Sequence, residues 1–98
     1  MENHLLKRIV ETSKIDMNDP EIQIELEIDL ERMDRLTHQD RPEGTDSFLI
    51  TVTPSETLYK RGHHRFLFEI QYGTQTEQGF TPIGEPKHYN TQSLPFLN

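Results

Sequence analysis

Cysteine is absent from the 98-residue chain. That excludes a disulfide framework and any thiolate-ligated zinc site. Small secreted domains usually rely on such staples, so an intracellular, soluble, cytoplasmic protein is expected. No apolar run approaches the ~20 residues that cross a bilayer. The opening Met1-Glu2-Asn3-His4-Leu5-Leu6-Lys7-Arg8 lacks the long apolar stretch of a signal peptide. Apolar residues are themselves scarce, at 32%, against about 45–50% in an average globular chain. Either part of the chain lies outside the core, or a partner completes the burial.

Positive charge is also in short supply. Lys and Arg total 10 against 17 Asp and Glu, for a net charge of −7. The imbalance is confined to residues 1–46, which hold 13 acids and 6 bases; residues 47–98 hold 4 of each. Such a chain lacks the basic footprint that direct binding to nucleic acid or to an anionic membrane requires. It suits a protein partner with a basic surface, or simply solubility.

Catalytic motifs are missing as well. There is no phosphate-cradling glycine loop, no nucleophile elbow and no dinucleotide fingerprint; Gly73, Gly79 and Gly84 are too widely spaced for any of them. The carboxylates crowd one segment rather than forming a pair with opposed environments. Asp16, Asn18 and Glu21 imitate the start of a calcium loop, but its sixth position holds Glu21 in place of the glycine that the sharp turn of such a loop requires. No catalytic residue, cofactor or metal ligand is assigned, and an enzyme is not expected.

What remains is a domain's worth of patterned chain. Residues 3–14 read as a short amphipathic helix, capped by Asn3, with Leu5, Leu6, Ile9 and Val10 on one stripe and Lys14 at the end. After the connector Asp16-Met17-Asn18-Asp19-Pro20, strict alternation begins. Ile22, Ile24, Leu26, Ile28 and Leu30 interleave with Gln23, Glu25, Glu27, Asp29 and Glu31. Period two is the mark of a strand with one dry face. The rival is a helix started by Asp19-Pro20-Glu21. It would leave Ile24 and Ile28 stranded opposite the core and would stack Glu21, Glu25 and Asp29 one turn apart, so the strand is preferred.

Residues 37–47 form a polar loop and 48–53 a β-branched, aromatic-rich strand stopped by Pro54. Residues 57–60 and 65–72 flank Gly62-His63-His64 as a hairpin, with Phe66, Phe68, Ile70 and Tyr72 alternating in its second arm. From Gly73 to Asn98 no periodicity survives, yet apolar residues remain scattered there. The expected fold is therefore α+β: residues 1–72 form a domain in which an N-terminal helix packs on a small, mostly antiparallel sheet. Residues 73–98 are an extended C-terminal arm, lying on its own domain, on a twin or on another protein.

Two features carry the functional expectation. On a strand, Glu25, Glu27, Asp29 and Glu31 would project from one face about 6.6–6.8 Å apart, close to the phosphate spacing of a stretched nucleic-acid strand. The plainer account of the same stripe is a solvated outer sheet face. Phe80, Tyr89 and Phe96 would serve as apolar anchors on the arm. The leading expectation is thus a non-catalytic protein-binding module facing a basic partner, in its sharper form an inhibitor that mimics a phosphate backbone. The second feature is the turn containing Lys60, Arg61, His63, His64 and Arg65, which could grip an anion or an acidic surface. Adjacent histidines on a strand point to opposite faces, so a metal site there, as in a small metal-dependent enzyme, is the distant alternative. The nearer alternative is a self-assembling, homo-oligomeric subunit that uses the arm.

Overall fold

The computed structural model describes residues 6–39, 41–56 and 66–94. One helix packs against one face of a five-stranded mixed sheet, the α+β class expected. The elements are β1 (Lys7–Thr12), α1 (Pro20–Gln39), β2 (Ser47–Pro54), β3 (Phe66–Thr76), β4 (Gly79–Pro82) and β5 (Lys87–Asn90). A single 3-10 turn follows at Thr91–Ser93.

The expected helix over 3–14 is corrected to a strand over its described part. Lys7–Thr12 runs parallel to β2, with Ile9 beside Leu49 and Val10 beside Ile50. Its three β-branched residues, Ile9, Val10 and Thr12, fit a pleated surface better than a helix. The segment is also too short to sustain a helix without tertiary support. Lys14, at φ 63°, turns the chain out of the strand. Parallel neighbours need a long crossover, and α1 is that crossover.

The second correction is larger: residues 22–31 belong to α1 and are not a strand. Asp19 caps the helix, its side chain accepting from the Glu21 amide at 3.0 Å and its carbonyl from the Gln23 amide at 3.0 Å. Pro20 takes the first helical position, where no amide is needed. Ile22, Leu26, Leu30 and Met33 then fall on one buried stripe. Period two and period 3.6 coincide at positions four apart, so the alternation could not separate them. The spacing from Leu30 to Met33 and Thr37 is helical only. The helix accordingly continues into the expected 37–47 loop, as far as Gln39.

The sheet beneath follows expectation more closely. β2 and β3 pair antiparallel, Ile50 opposite Ile70 and Val52 opposite Phe68. Phe48, Ile50 and Val52, with Phe66, Phe68, Ile70 and Tyr72, turn their side chains into the core beneath α1. The Tyr72 hydroxyl donates to the Thr37 carbonyl at 2.9 Å, satisfying a group at the helix end. Residues 57–65, which hold the first arm and the tip of the expected hairpin, lie outside the described residues.

The described part of the expected arm, residues 73–94, joins the same sheet and core. Gly73–Thr76 completes β3, β4 returns along this half, and β5 pairs with the other half at Leu67–Ile70. Gly73 is required by close approach: a Cβ there would lie 2.2 Å from the Thr81 carbonyl oxygen and 2.6 Å from Phe80 Cζ. Leu94 then enters the core, 3% exposed.

Candidate partner-binding surface

A helix turns about 100° per residue, and this redistributes the four carboxylates of the expected acidic stripe. Glu25 and Asp29 share one side of α1, Glu27 and Glu31 another. The common face and the phosphate-like spacing, both consequences of a strand, do not exist.

Asp29 is a structural residue. It is 3% exposed, accepts from Arg32 Nη1 at 3.2 Å, and accepts from Thr91 Oγ1 at 2.7 Å. Arg32 Nη2 donates to the Leu94 carbonyl at 2.7 Å, and Thr91 Oγ1 accepts from the Phe66 amide at 3.2 Å. A buried carboxylate needs such partners. Here they join the middle of α1 to the last turn of the described chain and to the start of β3. Glu25, half-buried, stands one turn before it.

Glu27 and Glu31 are exposed on the outward side of α1. Beside them stand Ile24, 61% exposed, and Ile28, 44% exposed. With Gln23 and with Arg8 from β1 they line one shallow, open hollow. Isolated exposed apolar residues are ordinary, but two isoleucines one turn apart in a carboxylate setting form a small patch with a charged rim. Its floor is apolar, two acids border it, and Arg8 is its one cation among the described residues. Such a surface can bury an apolar side chain while pairing with neighbouring Lys or Arg.

The other expected contacts fall differently. Tyr89 packs, half-buried, against its own core. Phe80, also half-buried, lies over the Gly73 backbone. Phe96, Lys60, Arg61, His63, His64 and Arg65 lie outside the described residues. On the sheet face away from α1, His88 Nε2 is 3.1 Å from Glu69 Oε1, across the β3–β5 pair. Among the described residues no group of three or more His, Cys, Asp or Glu could hold a metal ion, and no helix is long and apolar enough to cross a membrane.

Sequence reasoning did not assign Ile24, Ile28 or Arg8 to the surface. The signal for the isoleucines was present: the helical alternative strands these two opposite the core. Arg8 carried none, because its place beside α1 depends on the parallel pairing of β1. Comparison of the chain with protein-family models, with curated proteins and with solved structures finds no match.

Proposed function

We propose that this protein is a non-catalytic binding module that docks a basic, amphipathic polypeptide segment on the outward side of α1. One observation carries the reading: Ile24 and Ile28, 61% and 44% exposed, line one hollow with Glu27 and Glu31 on a chain of net charge −7. Leaving two large apolar side chains in water gains nothing for the fold. Covering them stabilises a complex by the hydrophobic effect, while the acids steer a partner carrying Lys or Arg and reject an acidic one. The occupant is therefore a segment with one or two apolar side chains flanked by cations. The state of Asp29 supports a non-catalytic role: the most deeply buried carboxylate of the described residues already has its hydrogen bonds committed to Arg32 and Thr91.

The test compares the wild type with Ile24→Ser/Ile28→Ser and Glu27→Lys/Glu31→Lys, using a labelled synthetic helix with leucines flanked by lysines. Fluorescence anisotropy should show saturable binding that falls steeply between low and high salt. Each double variant should weaken it about tenfold or more. A matched peptide with glutamates for lysines should not bind. Equal affinity of the lysine peptide for all three proteins would remove the α1 surface from the account.

A further inference from the structure

The outer edge of β1 is self-complementary, and we infer that two copies of the chain pair there, antiparallel, about a two-fold axis at Ile9. Among the described residues β1 is bonded on one side only, to β2. The amides of Lys7 and Ser13 donate to the carbonyls of Asp46 and Val52, each at 3.0 Å. In a parallel ladder such residues alternate. Positions 7, 9, 11 and 13 therefore face β2, and Arg8, Val10 and Thr12 turn both backbone groups to the open edge. Apart from the half-buried Ile9, every residue of the strand is exposed.

Two copies of one strand can adjoin antiparallel only about an axis normal to the sheet. Such an axis keeps each face on its own side, so only residues of equal parity can stand opposite. On the face away from α1, β1 presents Lys7, Ile9 and Glu11, in line with Leu49 and Thr51 of β2. With the axis at Ile9, this isoleucine meets its own mate. Lys7 meets Glu11 of the second copy, and Glu11 meets its Lys7. Both ion pairs are cross-strand neighbours on one face, the arrangement that stabilises a pair of strands.

The open backbone groups agree. Arg8 and Val10 of the second copy become a hydrogen-bonded pair exchanging both bonds, twice by symmetry, while the two Ile9 residues form the closer, non-bonded pair. The adjacent registers fail on side-chain pairing. An axis at Val10 sets Ile9 against Glu11; an axis at Arg8 sets Arg8 against itself and Lys7 against Ile9. The charges on this edge would ordinarily block pairing with other strands. In one register they select a second copy. The joined sheet carries both α1 helices on the same face.

This pairing is tested at Lys7, Ile9 and Glu11, none of which lines the hollow on α1, so its failure and that of the binding reading are separable. The absence of cysteine permits a direct test: Ile9→Cys creates a lone thiol at the axis. Non-bonded cross-strand pairs have Cα atoms about 4.5 Å apart, within the roughly 4.4–6.8 Å a disulfide spans. Under mild oxidation Ile9→Cys should form a covalent dimer, whereas Thr51→Cys, on the same face one strand inward, should not. Light scattering on the wild type should show mass rising from 11.6 kDa toward twice that value with concentration. Lys7→Glu and Glu11→Lys should each weaken association about tenfold, and the two together should restore it. A wild type that stays monomeric up to about millimolar concentration, crosslinking no faster at Ile9→Cys than at Thr51→Cys, or a double charge swap no better than the single ones, would each overturn the pairing.

Discussion

Asp29 shows how much one side chain can decide. Fully buried carboxylates are rare unless paired, and this one is paired twice with groups distant in sequence or in charge: Arg32 one turn on, and Thr91, 62 residues away. Removing one member of a buried pair costs about 3–5 kcal/mol, because the remaining charge is left without compensation. Arg32 also holds the Leu94 carbonyl, so Arg32→Ala loses two functions. Asp29→Asn keeps the shape and one acceptor for Thr91 but removes the charge that Arg32 opposes. In urea unfolding, Arg32→Ala should cost about 3 kcal/mol and Asp29→Asn about 1 kcal/mol. The reverse order would mean that the carboxylate, not the arginine, carries the connection. The sequence marked Asp29 only as one acid among several. Its distinction comes from Thr91 and Leu94, which the fold brings to it.

At the scale of elements, β2, β3 and their facing core residues were legible, because Phe48 to Thr53 and Phe66 to Tyr72 alternate with no helical competitor. The segment Ile22–Leu30 was not. Five apolar residues at period two satisfy a strand completely, and a helix with two residues left over. Local capping by Asp19 and Pro20 favoured the helix, as did the continuation through Met33. The repulsion expected between Glu25 and Asp29 is outweighed by the partners Asp29 finds. β1 was misread for the opposite reason: its strand conformation is fixed by β2, which lies 35 or more residues later in the chain.

The two structures possible for residues 22–31 rank substitutions differently, which gives a clean check on the element. In α1, Ile24→Ala and Ile28→Ala exchange an exposed β-branched residue for the best helix former. They should leave stability unchanged or raise it by about 0.5 kcal/mol. Leu26→Ala and Leu30→Ala empty core sites and should cost about 2–5 kcal/mol each. A strand with all five side chains inward would make all four losses comparable. Thermal melts of the four variants therefore separate a helix from a strand without further structure.

For the whole molecule, the low apolar fraction and the acidic first half were both meaningful, but in different ways. The excess acid concentrates in α1, which covers only one face of the sheet, and eleven of the thirteen buried apolar residues lie in that helix or in β2 and β3. Economy of this kind leaves the last quarter of the chain with a structural task that its aperiodic sequence concealed. β4 and β5 together occupy the far edge of β3, Tyr89 packs on the core, and Leu94 is buried within it. Thr91 completes the shell of Asp29 and also receives the Phe66 amide. A chain ending at Gln78 would lose all of these at once. It would expose the edge of β3 and leave Asp29 with Arg32 but without Thr91. A domain of this size has a margin of about 5–15 kcal/mol, and the combined loss of a core leucine, two strands and a buried hydrogen bond exceeds its lower part. The truncated chain should therefore lack a cooperative thermal transition and bind a hydrophobic dye, whereas the full chain should melt sharply. A cooperative transition in the shorter chain, near the temperature of the full one, would show that residues 79–94 decorate a fold already complete without them.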